Sequence, residues 1–315
     1  MLWVEKYRPK KFSEIKGQEK IVERLRAMVQ QKNIQNLLFA GPPGVGKSTL
    51  ALIITYELYG EEWQQNFLEL NASDDRGIDV VRNTIKDFAR TKSLGNVPFK
   101  IIFLDECDSL TREAQQALRR TMENYSNTTR FILSCNYSSK IIDPITSRCT
   151  VFRFKPLEYK DVRVVVQEIG AKEDLNVTED AISALFKISE GDCRKIENML
   201  QTCAVIDKGI GEDLVYSLIS AARPKEVVEI CSLAVKGDFI KAKTLLLDTM
   251  LKYGLSGLDM IKQIQKEAWA LETSDERKLQ VIEKCGEIEF RMVEGSDEFL
   301  QLESLIAYIA VMGKI

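Results

Sequence analysis

Histidine is absent from the 315-residue sequence. That absence removes every Ser/His or Cys/His nucleophile pair and the commonest zinc ligand. Cysteine does not fill the gap. The seven thiols, Cys107, Cys135, Cys149, Cys193, Cys203, Cys231 and Cys285, contain no pair at C-x-x-C spacing, which argues against a zinc site. An odd, scattered set reads as reduced thiols packed as small hydrophobes in a cytosol. No uninterrupted apolar run approaches the length of a membrane span. The first residues, Met1-Leu2-Trp3-Val4-Glu5-Lys6-Tyr7-Arg8, lack the apolar stretch of a signal peptide. Charge of one sign is not in excess either. Lysine plus arginine (44) against aspartate plus glutamate (47) leaves a net charge of −3. Any nucleic-acid contact is therefore expected from a local patch, not from a global field. With 45% hydrophobic and 29% charged residues the chain can bury a core, and its length suggests two or three domains.

What is present begins with Gly41-Pro42-Pro43-Gly44-Val45-Gly46-Lys47-Ser48-Thr49. This stretch fits G-x-x-x-x-G-K-[ST], a phosphate-binding loop. The apolar run Leu37-Leu38-Phe39-Ala40 precedes it and reads as a buried strand; a helical pattern through Leu50, Ala51, Ile53, Ile54 and Leu58 follows. Strand, glycine turn and helix is the context the motif needs. Glycines let the loop wrap with its N–H groups turned inward, and the helix N-terminus adds unpaired donors and partial positive charge. Lys47 is expected on the β- and γ-phosphates and Ser48 on Mg²⁺.

Upstream, the segment from Trp3 to Pro9 is too short and mixed to predict a helix, and Pro9 biases Arg8 toward an extended conformation. An aromatic and a cation ahead of a nucleotide core either cover the base or form an ordered tail. Residues 19–31 have helical spacing. Downstream, Phe67-Leu68-Glu69-Leu70 predicts a strand, Asn71 to Gly77 a turn, and 78–91 a helix. That helix carries Arg82, Lys86 and Arg90 at four-residue spacing, about 6 Å apart along one face. The pitch suits a row of phosphates, though a solvated helix face is the commoner cause of such a run.

Lys100-Ile101-Ile102-Phe103-Leu104 then predicts a strand ending in Asp105 and Glu106. Placed after a phosphate loop, Asp105 is expected to hold Mg²⁺ through water and Glu106 to polarise the attacking water. A helix is expected over 112–125, with Thr111 as its N-cap. A further strand, Phe131 to Cys135, ends in Asn136, whose amide is positioned for the γ-phosphate or the attacking water. A short turn or helix over 143–149 and a last strand over 150–154 complete an alternating pattern. Over residues 1–155 this indicates a parallel sheet with helices on both faces, binding ligands at the C-terminal strand ends. From Glu158 onward no strand is predicted. Helices are expected at 158–169, 179–189 and 192–206, followed after Arg223-Pro224 by about five more with links at 236–238, 253–257, 273–275 and 295–296. Arg194 opens the third of these, where a cation opposes the helix dipole; it has either a purpose beyond helix stability or an ordinary place on the surface. The C-terminal block carries no recognisable chemistry.

The ordered set WVEKYRP (3–9), GPPGVGKST (41–49), LNASDDRGIDVVR (70–82), FLDECDSLT (103–111), ALRRTMENYS (117–126), FILSCN (131–136), SRC (147–149) and GDCRK (191–195) resembles the AAA+ clamp-loader family of replication factor C along the whole chain. The overall look is most like the small subunits of the archaeal branch. The resemblance implies a AAA+ P-loop domain (1–155), a helical lid (156–222) and a helical collar (223–315). It implies an ATPase using ATP and Mg²⁺ in a heteropentamer with a large subunit and other small subunits. Such an assembly opens the PCNA sliding clamp and loads it on primer–template DNA in replication, in the cytoplasm of an archaeon or the nucleus of a eukaryote. It places Val4 and Arg8 near the adenine, Asn136 as sensor 1, Arg194 as sensor 2 on the γ-phosphate, and Arg148 as an arginine finger acting on ATP of the adjacent subunit. Arg82 and Lys86, with Arg90 in the same row, would track DNA phosphates. The segment around 88–98 would meet the clamp. The C-terminus, ending Ala310 to Ile315, lacks a clamp-binding peptide, which favours a small subunit.

Three other readings are distinguishable. Another DNA-dependent AAA+ motor, such as a helicase loader or branch-migration enzyme, would translocate on DNA and ignore a clamp. An ATP-binding structural subunit would not hydrolyse ATP, against which Lys47 and Glu106 both stand intact. A small-molecule P-loop kinase would need a phosphate acceptor, and the helical C-terminal third fits it poorly.

Overall fold

Continuous apolar strands, buried on both faces, decide how the first part of the chain is layered. The computed structural model describes residues 1–74, 81–218 and 224–313, with backbone only at 81, 82, 224 and 313. In chain order its first elements are α1 (Trp3–Lys6), α2 (Glu19–Gln30), β1 (Leu37–Ala40), α3 (Lys47–Tyr59) and β2 (Phe67–Asn71). Next come α4 (Lys86–Arg90), β3 (Lys100–Asp105), α5 (Arg112–Asn124), β4 (Thr129–Cys135), α6 (Asp143–Thr146) and β5 (Thr150–Arg153). The strands pair in the order β2-β3-β4-β1-β5, and all four pairings are parallel. Successive side chains of a strand point to opposite faces. Leu37, Phe39, Ile101, Phe103 and Ile132 accordingly join a core with Leu50, Ile53 and Ile54 of α3 and Leu25 of α2. Leu38, Ala40, Ile102, Leu104 and Leu133 join a second core with Ala114, Leu118 and Met122 of α5. Both faces are covered, so the strands read as continuous apolar runs. Parallel pairing also brings the C-terminal ends of β1, β3 and β4 to one edge, where the loops bearing Lys47, Asp105 and Asn136 begin.

The chain continues through α7 (Tyr159–Glu173), α8 (Glu179–Ser189) and α9 (Cys193–Ile206). It forms two compact units: residues 1–177 with 185–204, and residues 178–184 with 205–315. The second unit contains α10 (Glu212–Leu218), α11 (Pro224–Val235), α12 (Phe239–Tyr253), α13 (Gly257–Glu267), α14 (Asp275–Val293) and α15 (Glu298–Gly313). It buries its own core, in which Ile230, Leu246, Ile264, Ile288, Leu302 and Ile306 are at most 2% exposed. No helix among the described residues is long and apolar enough to cross a membrane.

Four expectations change. Trp3–Lys6 is one helical turn, where no helix was expected. A single turn is unstable alone; here Trp3 is buried and its N–H donates to Gln201 Oε1 at 2.9 Å, so the tertiary contact holds it. The helix expected over 78–91 is a π turn over Val81–Ile85 leading into α4, and residues 75–80 lie outside the described residues. A π turn is wider than an α turn, so the α-helical pitch holds between Lys86 and Arg90 on α4 but not across the turn that contains Arg82. The helix expected to stop at 169 runs to Glu173, fixed at its start by a capping box between Glu158 and Asp161. Two-residue strands occur at Asn176–Val177 and Gly209–Ile210, after the point where no strand was expected.

Candidate nucleotide site

The loop after β1 is shaped by two glycines in left-handed backbone. Gly46 has φ 94° and leads directly into α3. Gly44 has φ 68°, and a Cβ there would lie 1.7 Å from Asp192 Oδ1. A side chain at Gly44 would have to displace the Asp192 carboxylate, and the Cys193 N–H donates to Gly44 O at 3.0 Å. The glycine thus allows the start of α9 to rest against the phosphate loop.

Lys47 is only 7% exposed. Its Nζ donates to Gly41 O and Pro42 O, each at 2.7 Å, and to Asn136 Oδ1 at 3.1 Å. Burial holds its ammonium below the usual lysine range, and Asp105 opposes that shift. Ser48 Oγ donates to Asp105 Oδ2 at 2.7 Å, and Glu106 N–H donates to the other oxygen of Asp105 at 2.9 Å. Glu106 has φ 51°, a left-handed conformation that is costly for a residue with a side chain. Ends of β1, β3 and β4 are thereby tied together through side chains.

These groups line one cleft of about 400 Å³. Pro43 to Thr49, Asp105, Glu106 and Asn136 form one part of its wall; Val4, Tyr7 and Arg8 from the N-terminal segment and Arg194 from α9 form another. Gly41 and Pro42 contribute through the carbonyls that hold Lys47. Arg8 Nε donates to Thr49 Oγ1 at 3.3 Å, linking the N-terminal segment to α3. Cationic nitrogens, a helix N-terminus and a hydroxyl–carboxylate pair in one cleft suit a polyphosphate with a divalent cation.

Family models match in two places: the ATPase family associated with various cellular activities (AAA) over residues 37–157, and the replication factor C C-terminal domain over 222–308. The replication factor C small subunit of Archaeoglobus fulgidus is 50% identical over 99% of this chain and 98% of its own length. Those of Methanococcus vannielii and Sulfurisphaera tokodaii are 50% and 49% identical, over 98% and 100% of this chain and 98% and 96% of their own lengths. The chain belongs to the replication factor C small subunit family. It is a AAA-type P-loop ATPase, and the fold provides its nucleotide site. A solved Thermotoga maritima RuvB Holliday junction branch migration motor has a TM-score of 0.57 at 20% identity, over 73% of this chain and 80% of its own. That likeness concerns the fold alone.

Other replication factor C residues singled out in the sequence lie away from this cleft. Arg148 is exposed beyond α6, where it pairs with Glu123 at 2.5 Å and donates to Pro144 O at 2.7 Å. Lys86 is half-buried on α4, and Arg90 is exposed, bonded to Tyr125 Oη at 3.3 Å and near Asp87 at 3.6 Å. The Arg82 side chain lies outside the described residues.

Sequence reading overlooked Asp108. Its Oδ1 accepts from Asn136 N–H at 3.3 Å and its Oδ2 from Tyr137 N–H at 3.2 Å, so it fixes the backbone that presents the Asn136 amide. The signal was a third carboxylate after β3, which spacing alone does not connect to β4. Replacing Asp108 with alanine should lower the rate of ATP hydrolysis by up to about 10²-fold through misplacement of Asn136, while ATP affinity changes little. Steady-state turnover and equilibrium ATP binding on the same preparation check both halves; unaltered turnover would remove Asp108 from the positioning role.

Proposed function

We propose that this chain is an ATPase motor subunit of the replicative clamp loader, in which ATP binding draws an assembly of such subunits into the form that opens the PCNA sliding clamp and grips primed DNA. The observation that carries the reading is the Lys47–Ser48–Asp105–Asn136 cluster at the sheet edge, in a chain half identical to replication factor C small subunits along its length. In that reading residues 1–155 are the AAA+ domain, 156–222 a lid and 223–315 a collar that joins neighbouring subunits and the large subunit. Exposed apolar side chains on the collar helices, among them Leu251, Phe290 and Leu300, favour such joining.

Within the cleft, Lys47 exchanges its carbonyl partners for β- and γ-phosphate oxygens, and loop N–H groups from Gly44 to Thr49 take the remaining charge. Arg194 reaches the γ-phosphate from α9. Val4 and Arg8 border the nucleoside. Ser48 and Asp105, an oxygen pair already in contact, fit Mg²⁺, which neutralises developing phosphate charge when bound. Glu106 orients the attacking water and Asn136 holds it against the γ-phosphate. Reaction proceeds by positioning and electrostatics, with no covalent intermediate on the protein.

Arg148 completes the site of the adjacent subunit. Its exposure and its position away from its own cleft support that role, and its pair with Glu123, a carboxylate shared with Arg119, lies at the surface. Substituting it with alanine should reduce hydrolysis in the assembled complex by about 10³-fold or more, with ATP affinity within a few-fold of wild type. A rate within threefold of wild type would exclude the finger.

Arg82, Lys86 and Arg90 are proposed to follow DNA phosphates, and the segment around 88–98, with Leu94 on its surface, to meet the clamp. Alanine at both Lys86 and Arg90 should weaken primed-DNA binding and reduce the slope of log affinity against log salt by about 0.9 for each phosphate no longer neutralised. Titration across a salt series reads the slope directly, and an unchanged slope would assign these residues to solvated surface.

A further inference from the structure

Helix α9 carries one acidic side chain into the cleft that the phosphate chemistry does not use. Glu197 lines the cleft and is 6% exposed. Among the described residues its hydrogen-bond partner is the Cys193 thiol, 3.6 Å from Oε1, a weak donor for a buried carboxyl. A buried carboxyl without a strong partner needs a reason.

Its place along α9 indicates what it faces. Arg194, at the start of the helix, is close enough to Lys47 to disfavour that residue's charge, so it marks the phosphate end. Gln201 receives the Trp3 N–H, so it marks the N-terminal segment. Glu197 stands between them, about 4.5 Å along the axis from Arg194. With phosphates seated on the loop, that level of the cleft belongs to the nucleoside.

Charges around it come from each packed element. Asp192 and Cys193 lie at the start of α9 and Glu5 on α1; Arg194 is the cation that favours the ionised form. On α7, Glu168 is engaged by Lys16 at 2.7 Å and Lys172 sits over the Tyr7 ring. Arg8 is engaged by Glu5 at 3.7 Å and by Thr49. Burial is the largest influence and pushes the Glu197 carboxyl up to about 7, with Asp192 and Glu5 adding to the rise and Cys193 and Arg194 opposing it.

We infer that Glu197 reads the base of the bound nucleotide in its neutral form, as a hydrogen-bond donor and acceptor pair that complements adenine. Adenine presents an N6 amine donor beside a ring-nitrogen acceptor, the pattern that a glutamine amide also matches. A neutral carboxyl offers the same pair; an ionised one offers acceptors only. Guanine presents two acceptors, O6 and N7, on one edge and two donors, N1–H and N2–H, on the other, so ionisation favours guanine over adenine. The inference rests on nucleotide binding in this cleft.

The test is equilibrium binding of ATP and GTP to the 315-residue chain, to Glu197→Gln and to Lys47→Ala, at about pH 6 and about pH 8. For a group titrating near neutrality the neutral fraction falls about tenfold over that interval. Wild-type ATP affinity should therefore fall by about tenfold relative to the Gln variant, and its preference for ATP over GTP should narrow. Glu197→Gln, with a permanent donor–acceptor pair, should bind ATP tightly at both pH values. An equal pH dependence in the two proteins, or a pH-independent ATP/GTP ratio in wild type, would overturn the role of Glu197. That ratio is read on wild type alone and stands even if the variant folds poorly. ATP binding abolished in Lys47→Ala but indifferent to Glu197 defeats this inference only; no ATP binding by wild type defeats the cleft assignment with it.

Discussion

The contact on which the rest of the site depends is the buried ammonium of Lys47 against Gly41 O, Pro42 O and Asn136 Oδ1. Burying a charge costs several kcal/mol unless partners meet it. Here two loop carbonyls and one amide do so, and the requirement fixes the shape of the loop and the position of the β4 end together. The Ser48–Asp105 bond adds the end of β3 to the same knot. Three strand termini are thus tied together by side chains that, in the proposed function, also hold phosphate and a divalent cation. In the proposed function a polyphosphate would replace the neutral acceptors around Lys47 with charged ones.

How much of this was legible in sequence follows from whether the signal is local. The phosphate loop, the β3 carboxylates and Asn136 lie on strand–loop–helix units whose hydrophobic pattern identifies them residue by residue. The unbroken apolar runs through Leu37–Ala40 and residues 101–104 fit strands buried on both faces, one core on each side. Features that arise between distant segments were not legible. Trp3–Lys6 becomes helical because Gln201 receives its first N–H, and nothing in the segment itself announces that. Asp108 acts through backbone N–H groups of another strand. Glu197 reads as one polar position on an amphipathic helix until the structure places it in the cleft. The π turn at Val81–Ile85 likewise departs from a helix that propensity alone would continue.

Location divides the charged residues by task. Lys47 and Arg194 face the cleft, whereas Arg148 lies outside it in an ion pair that solvent can reach. Such an exposed pair contributes little to stability, so giving it up for a neighbouring subunit's phosphate, as proposed, would cost little. A net charge of −3 removes any long-range pull toward DNA. In the proposed function, contact with a duplex would therefore rely on local cations such as Lys86 and Arg90.

The most direct measurement is the ATPase rate of this subunit assembled with its large subunit, alone, with primed DNA, with the clamp, and with both. A clamp-loader motor should hydrolyse ATP far faster with DNA and clamp together than with either one. Stimulation by DNA that ignores the clamp would refute that role and point to another DNA-dependent motor.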